Sequence, residues 1–225
     1  MNIGGFLPLS LIDYPAVPSA VIFTNGCNLR CPYCHNPALA RGESPQFSEQ
    51  EIRNFLIERA GKIQGVVISG GEPTLQPDLA DWCRWLKSLG YLVKVDTNGR
   101  AMTCLFELRV MGVVDYIAVD IKTTRGAIDE PLRFYRKEVL SMFDRRYMKG
   151  EFRVTCVRPK IQEDLLADIL KEVDTETPIY LQHCKVTPKI LDPGAFKSGK
   201  CAAWTPEEIQ AFVDQYGREY NVKVR

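Results

Sequence analysis

The chain has 225 residues, 45% of them hydrophobic and 25% charged, the ordinary balance of a globular protein able to bury one sizeable core. Lysine and arginine number 29 against 28 acidic residues, so the net charge of +1 supplies no broad field for nucleic acid or an anionic membrane. No stretch approaches the roughly 18 apolar residues of a membrane span, and partners are expected to be recognised locally.

In chain order, the opening MNIGGFLPLSLIDYPAV lacks a basic start and is interrupted by Pro8, Asp13 and Pro15, so it does not read as a signal peptide. Eight cysteines without an export signal point to the reducing cytosol, where clustered thiols bind metal or react more often than they form disulfides. The first predicted strand is SAVIFT at 19–24, and a loop over 25–46 follows it. That loop holds CNLRCPYCHN at 27–36: Cys27, Cys31 and Cys34, then His35, one of only two histidines.

A disulfide uses cysteines in pairs and a closed zinc site uses four ligands, so three thiols suggest a metal centre with one open position. Three core cysteines that happen to be neighbours, and a zinc site completed by His35, are the other readings. Adjacent Cys34 and His35 make joint chelation of one ion awkward. Thiolates are the natural ligands of iron and sulfide, and a 4Fe-4S cluster held by three of them keeps its fourth iron free.

A helix is predicted from Ser48 to Lys62, with Ser48 as N-cap and Glu51 three positions on. The second strand, GVVISG at 65–70, closes on GGEP at 70–73. After a helix from Leu79 to Leu89, the third strand, LVKVDT at 92–97, closes on DTNG at 96–99. The fourth, YIAVDI at 116–121, closes on Asp120 and Lys122, and a helix from Leu132 to Tyr147 follows. The fifth strand is FRVTCV at 152–157, then a helix from Glu163 to Val173, and the sixth strand, PIYLQH at 178–183, closes on QHC at 182–184. Lys185 to Trp204 is a long Pro, Gly and Lys-rich connection, a candidate lid or docking loop, before a last helix from Pro206 to Tyr220.

Alternating strands and helices imply parallel strands with right-handed crossovers, hence an α/β fold. Six strands are too few for an eightfold barrel, so the expectation is a single domain over 1–225, an incomplete (β/α)6 barrel of mainly parallel strands with active residues on the loops after strand ends. The polar motifs all fall at those ends, which packing alone does not demand.

CNLRCPYC, a C-x3-C-x2-C pattern with an aromatic residue before its last cysteine, resembles the signature of the radical S-adenosylmethionine (SAM) enzymes. The resemblance implies a radical SAM fold and a 4Fe-4S cluster on Cys27, Cys31 and Cys34 whose open iron chelates the methionine amine and carboxylate of SAM. It extends from about Phe23 to His183. Gly70, Gly71 and Glu72 resemble the element that receives the methionine amino group, with glycines that let backbone approach the ligand, and Tyr33 matches the aromatic position near adenine.

YCHN at 33–36, DTNG at 96–99 with Asp96 and Asn98, and Asp120-x-Lys122 narrow the likeness to the glycyl-radical-enzyme activating enzymes. There the matching Lys122 pairs with the SAM carboxylate, while Asp96 and Asp120 accept from its ammonium or hold a small monovalent cation. His183 resembles a SAM-contacting histidine. The opening GGFLPLSLIDYP, together with TNGCNLRCPYCHNP, further resembles the anaerobic ribonucleoside-triphosphate reductase activating proteins.

The resemblance implies a cytoplasmic oxidoreductase that takes an electron from flavodoxin or ferredoxin, cleaves SAM reductively and makes a glycyl radical on a partner's glycine loop, with no nucleic acid or membrane involved. The 185–204 loop is then a candidate for gripping that loop. Rival readings are a radical SAM enzyme acting on another peptide or a small metabolite, and a zinc-binding interaction module. Cys83, Cys104 and Cys156 are expected to serve packing, and Cys184 with Cys201 makes an incomplete ligand set.

Overall fold

The computed structural model describes residues 1–122, 149–173 and 175–225. The predicted helix from Leu132 to Tyr147 lies outside them. The described chain divides into two compact units, Met1–Arg30 with Asn36–Thr97 and Thr103–Ile117, and Cys31–His35 with Asn98–Met102 and Ala118–Arg225.

In the first unit, β1 (Ile3–Ser10) runs antiparallel to β2 (Ser19–Thr24), β2 is parallel to β3 (Gly65–Gly70), and β3 is parallel to β4 (Leu92–Thr97). The parallel strands are near-continuous apolar runs because both faces are covered, and Ala20–Ile22, Val66–Ile68, Val93 and Val95 are fully buried. Each such side chain of Val or Ile size contributes about 1.5–3 kcal/mol. The β2–β3 register places Thr24 opposite Gly70, so the chain leaves both strands at one edge.

Helix α1 (Pro37–Arg41) is a short turn ended by Gly42 in the left-handed region, at φ 75°. Helix α2 (Glu49–Arg59) starts where predicted, with the Ser48 side chain accepting from Glu51 N–H at 3.3 Å. Helix α3 (Leu79–Ser88) buries Leu79, Trp82, Cys83 and Leu86, the i, i+3, i+4, i+7 stripe of an amphipathic helix. Helix α4 (Met102–Val110) carries Cys104 and buries Leu105 and Leu108.

β5 (Tyr116–Asp120) begins in the first unit and ends in the second. In the second unit, β6 (Lys149–Arg158) is parallel to β7 (Ile179–His183), and β7 is parallel to the short β9 (Val222–Val224). β8 (Ala202–Ala203) pairs antiparallel with β6. Helices α5 (Glu163–Glu172), α6 (Pro193–Lys197) and α7 (Pro206–Tyr216) complete it. Thr205 and Glu208 form a capping box at the start of α7, whose Ile209 and Phe212 are buried.

The fold class read from the alternation, α/β with mainly parallel strands, is the one found. The six predicted strands are all present, and β1, β8 and β9 add to them. β1 escaped because Gly4, Gly5 and Pro8 interrupt its apolar pattern; β8 and β9 have two and three residues, too few for a period to register. Among the described residues no helix is long and apolar enough to cross a membrane.

Candidate functional site

The first unit gathers the cysteine loop's start, the Gly-Gly-Glu turn and Asp96 at the carboxyl ends of β2, β3 and β4. Asn25 to Cys27 follow β2 and are fastened by Gly26 N–H to Leu39 O at 2.7 Å and Cys27 N–H to Ala40 O at 3.1 Å. Gly71 N–H donates to Thr24 O and Glu72 N–H to Gly26 O, each at 2.8 Å, so the turn lies directly on the backbone leading to Cys27. That approach demands glycine. A Cβ on Gly71 would stand 2.0 Å from Gly26 O, and one on Gly70, at φ +113°, would stand 2.3 Å from Thr24 N.

Glu72 is buried, and one oxygen accepts from Thr74 N–H at 3.2 Å, Thr74 O–H at 2.6 Å and Thr97 O–H at 2.7 Å. It therefore links the end of β3 to the end of β4. Asp96 accepts from Ser69 O–H at 3.2 Å and contacts the ammonium of Lys94, whose side chain is wholly buried. Sequence reasoning missed Lys94, although a lone charge inside the apolar run LVKVDT is itself a signal, since a buried ammonium needs a partner.

The second unit holds the rest. Asp120 is gripped by the Arg153 guanidinium through two bonds, 2.9 and 3.1 Å, with Lys122 Nζ 3.7 Å away. Bidentate pairing of this kind fixes the carboxylate's plane. Arg153 was also missed; its position in β6 places it beside Asp120, a long-range match that no local pattern encodes. The carboxylates expected to hold a small cation are thus each paired with a basic side chain, Asp96 with Lys94 and Asp120 with Arg153.

Tyr33 is buried, with Lys122 Nζ 5.5 Å from its ring centre. Burial, then the neighbouring Cys31, push its phenol well above the usual value, so it stays protonated. Asn98 is buried and accepts from Arg100 N–H at 3.1 Å, which shapes the turn after β4. His183 is exposed at the end of β7, opposite Cys156.

Cys27, Cys31 and Cys34 are partly exposed free thiols. Cys27 Sγ accepts from Leu29 N–H at 3.4 Å, and Cys34 N–H donates to Cys31 O at 2.9 Å. Among the described residues no three His, Cys, Asp or Glu side chains stand gathered as a metal site. The donor set nonetheless fits an iron-sulfur cluster, because it offers three soft, accessible sulfurs on one loop and an N–H aimed at one of them. Burial pushes the thiols of Cys83 and Cys156 up to about 12 and raises those of Cys104 and Cys184. Cys83 and Cys156 are packed thiols, as expected.

Residues 21–173 match the Radical SAM superfamily. The chain belongs to that superfamily. Its members use a 4Fe-4S cluster and SAM, the pair of cofactors expected from the cysteine loop. A protein of Methanocaldococcus jannaschii whose name assigns it to the glycyl-radical enzyme activating enzymes is 36% identical over 184 residues, 76% of this chain and 75% of its own. A pyruvate formate-lyase-activating enzyme of Listeria monocytogenes is 28% identical over 199 residues, 82% of this chain and 68% of its own. Among solved structures, a radical SAM methyltransferase from Sphaerobacter thermophilus superposes with a TM-score of 0.62 at 13% identity, covering 94% of this chain and 67% of that one. That likeness shows the radical SAM fold.

Proposed function

We propose that this protein is an activating enzyme that generates a glycyl radical on a partner enzyme. The observation that carries the reading is the joint presence of the C-x3-C-x2-C loop with Gly-Gly-Glu, Asp-Thr-Asn-Gly and Asp-x-Lys at successive strand ends. The 36% identity to the M. jannaschii relative supports it.

Cys27, Cys31 and Cys34 would hold the cluster, and Tyr33, Gly70, Gly71, Glu72, Asp96, Asn98, Asp120, Lys122 and His183 would form the SAM site. The cluster, when bound, would supply the one-electron reduction of SAM from which the hydrogen-atom abstraction at the target glycine follows. The chain's own residues bind and orient. Lys122 presents a cation to the SAM carboxylate, and Arg153 holds Asp120 so that its carboxylate meets the ammonium in a fixed plane. Tyr33 offers a ring face whose protonated phenol adds no charge to the adenine pocket.

Gly70 and Gly71 keep the turn against the cysteine loop, so that a ligand touching Glu72's backbone also lies beside Cys27's. The abstraction needs no general base. The partner is an anaerobic ribonucleoside-triphosphate reductase and the reductant flavodoxin or ferredoxin, in the cytoplasm. The test is anaerobic incubation of the reconstituted protein with SAM, reductant and candidate glycyl-radical enzymes. A glycyl signal in electron paramagnetic resonance, dependent on this chain, is expected with the reductase; SAM cleavage without any such signal would move the reading to a small-molecule or peptide substrate.

A further inference from the structure

The segment KVTPKILDPGAFKSGK at 185–200 carries Lys185, Lys189, Lys197 and Lys200 against a single acid, Asp192. All four lysines are exposed, and none is paired with an acid among the described residues. Asp192 is occupied as the N-cap of α6, its carboxylate accepting from Ala195 N–H at 3.0 Å. Four lysines against one aspartate leave the strap a local net charge of +3, in a chain whose net charge is +1.

That strap is fastened to the cysteine segment of its own unit. Leu191 N–H donates to Cys34 O and Asp192 N–H to Pro32 O, each at 3.0 Å. Ala195 and Cys201 are buried with Tyr33, and Cys31 and Phe196 pack against them. Trp204, wholly buried, closes the strap with N–H to Cys156 O at 3.0 Å and Nε1–H to Ile161 O at 3.1 Å. The lysines therefore stand on a fixed surface joined by backbone bonds to the residues between Cys31 and Cys34.

We propose that this basic strap is the docking surface for an acidic one-electron carrier protein. The proposal rests on the activating-enzyme reading and adds to it the surface through which the electron arrives. A polyanion such as nucleic acid would call for a positive field along the molecule, whereas four lysines on one strap suit a single acidic protein face. A carrier seated there is brought against the loop whose cysteines hold the redox group. Docking makes and breaks no bond; the carrier is oxidised by one electron, and the group held by the cysteines is reduced by it.

The test uses the full reconstituted chain and its quadruple variant Lys185→Glu, Lys189→Glu, Lys197→Glu, Lys200→Glu. Equilibrium binding of flavodoxin is measured at low and at physiological salt, and deoxyadenosine formation is followed with either reduced flavodoxin or dithionite. In the variant, flavodoxin binding is lost and flavodoxin-driven SAM cleavage falls roughly 10- to 1000-fold at low salt, while the dithionite-driven rate is kept. The native rate with flavodoxin declines as salt rises, whereas the variant's does not.

Unchanged flavodoxin binding and rate would overturn the proposal. So would an equal loss with dithionite, which would mean that the strap only supports the cysteine loop, or a selective loss of binding to the glycyl-radical enzyme. Failure of the native protein to cleave SAM with dithionite would instead sink the activating-enzyme reading, with flavodoxin binding still reporting on the surface.

Discussion

Lys94→Met removes the ammonium beside Asp96 while keeping the length and the apolar body of the side chain. Lys94 has no exposed side-chain area and Asp96 about a tenth, so the pair lies behind the end of β4 and out of water. Removing one member of a buried pair costs about 3–5 kcal/mol, because the other charge loses its compensation, whereas replacing both members is often neutral. With a urea m-value of about 1–3 kcal/mol/M, the midpoint of unfolding drops by on the order of 1 M or more. The double variant Lys94→Met, Asp96→Asn recovers most of that loss. SAM affinity, read by equilibrium dialysis at equal iron content, falls in Lys94→Met because Asp96 is no longer held in place. A loss below about 1 kcal/mol, the range of exposed pairs, would refute the reasoning. So would a double variant no more stable than Lys94→Met alone.

Gly71→Ala forces a Cβ onto Gly26 O, an overpacking of about 1–3 kcal/mol, and displaces the backbone that carries Cys27; lower iron content after reconstitution is expected, and normal content would contradict it. Lys122→Ala leaves iron content intact and weakens SAM binding roughly 10- to 150-fold, the worth of one charge-assisted hydrogen bond, as read by dialysis. Alkaline stability follows from the buried thiols. Cys83 and Cys156 ionise only near about 12 in the folded chain, so the unfolded chain releases its protons first, and stability that is complete below about pH 9 declines above it. Each thiol costs about 1.4 kcal/mol per pH unit in that window, so urea midpoints across it fall less steeply in Cys83→Ala.

The parallel strands were legible because continuous β-branched runs such as GVVISG bury on both faces, and the helix starts because Ser48 is a cap whose chemistry is local. The chemistry-bearing loop was legible for the same reason: Cys27, Cys31 and Cys34 lie within eight residues, so spacing alone poses the question of a metal. What escaped is long-range. Arg153 and Asp120 are 33 residues apart and Glu72 and Thr97 are 25 apart, and their pairing depends on register between strand ends. At Gly71 the backbone adds a constraint of its own. A Cβ there would meet Gly26 O, a long-range approach that the sequence does not show.

The most direct test of the central claim follows the hydrogen atom. The partner enzyme is prepared with deuterium on its loop glycine and incubated anaerobically with this protein, SAM and reductant, and the deoxyadenosine formed is weighed by mass spectrometry. The account predicts one deuterium in the product, appearing together with the glycyl signal. Unlabelled deoxyadenosine from every glycyl-radical enzyme tried, alongside efficient turnover of a small metabolite, would contradict it.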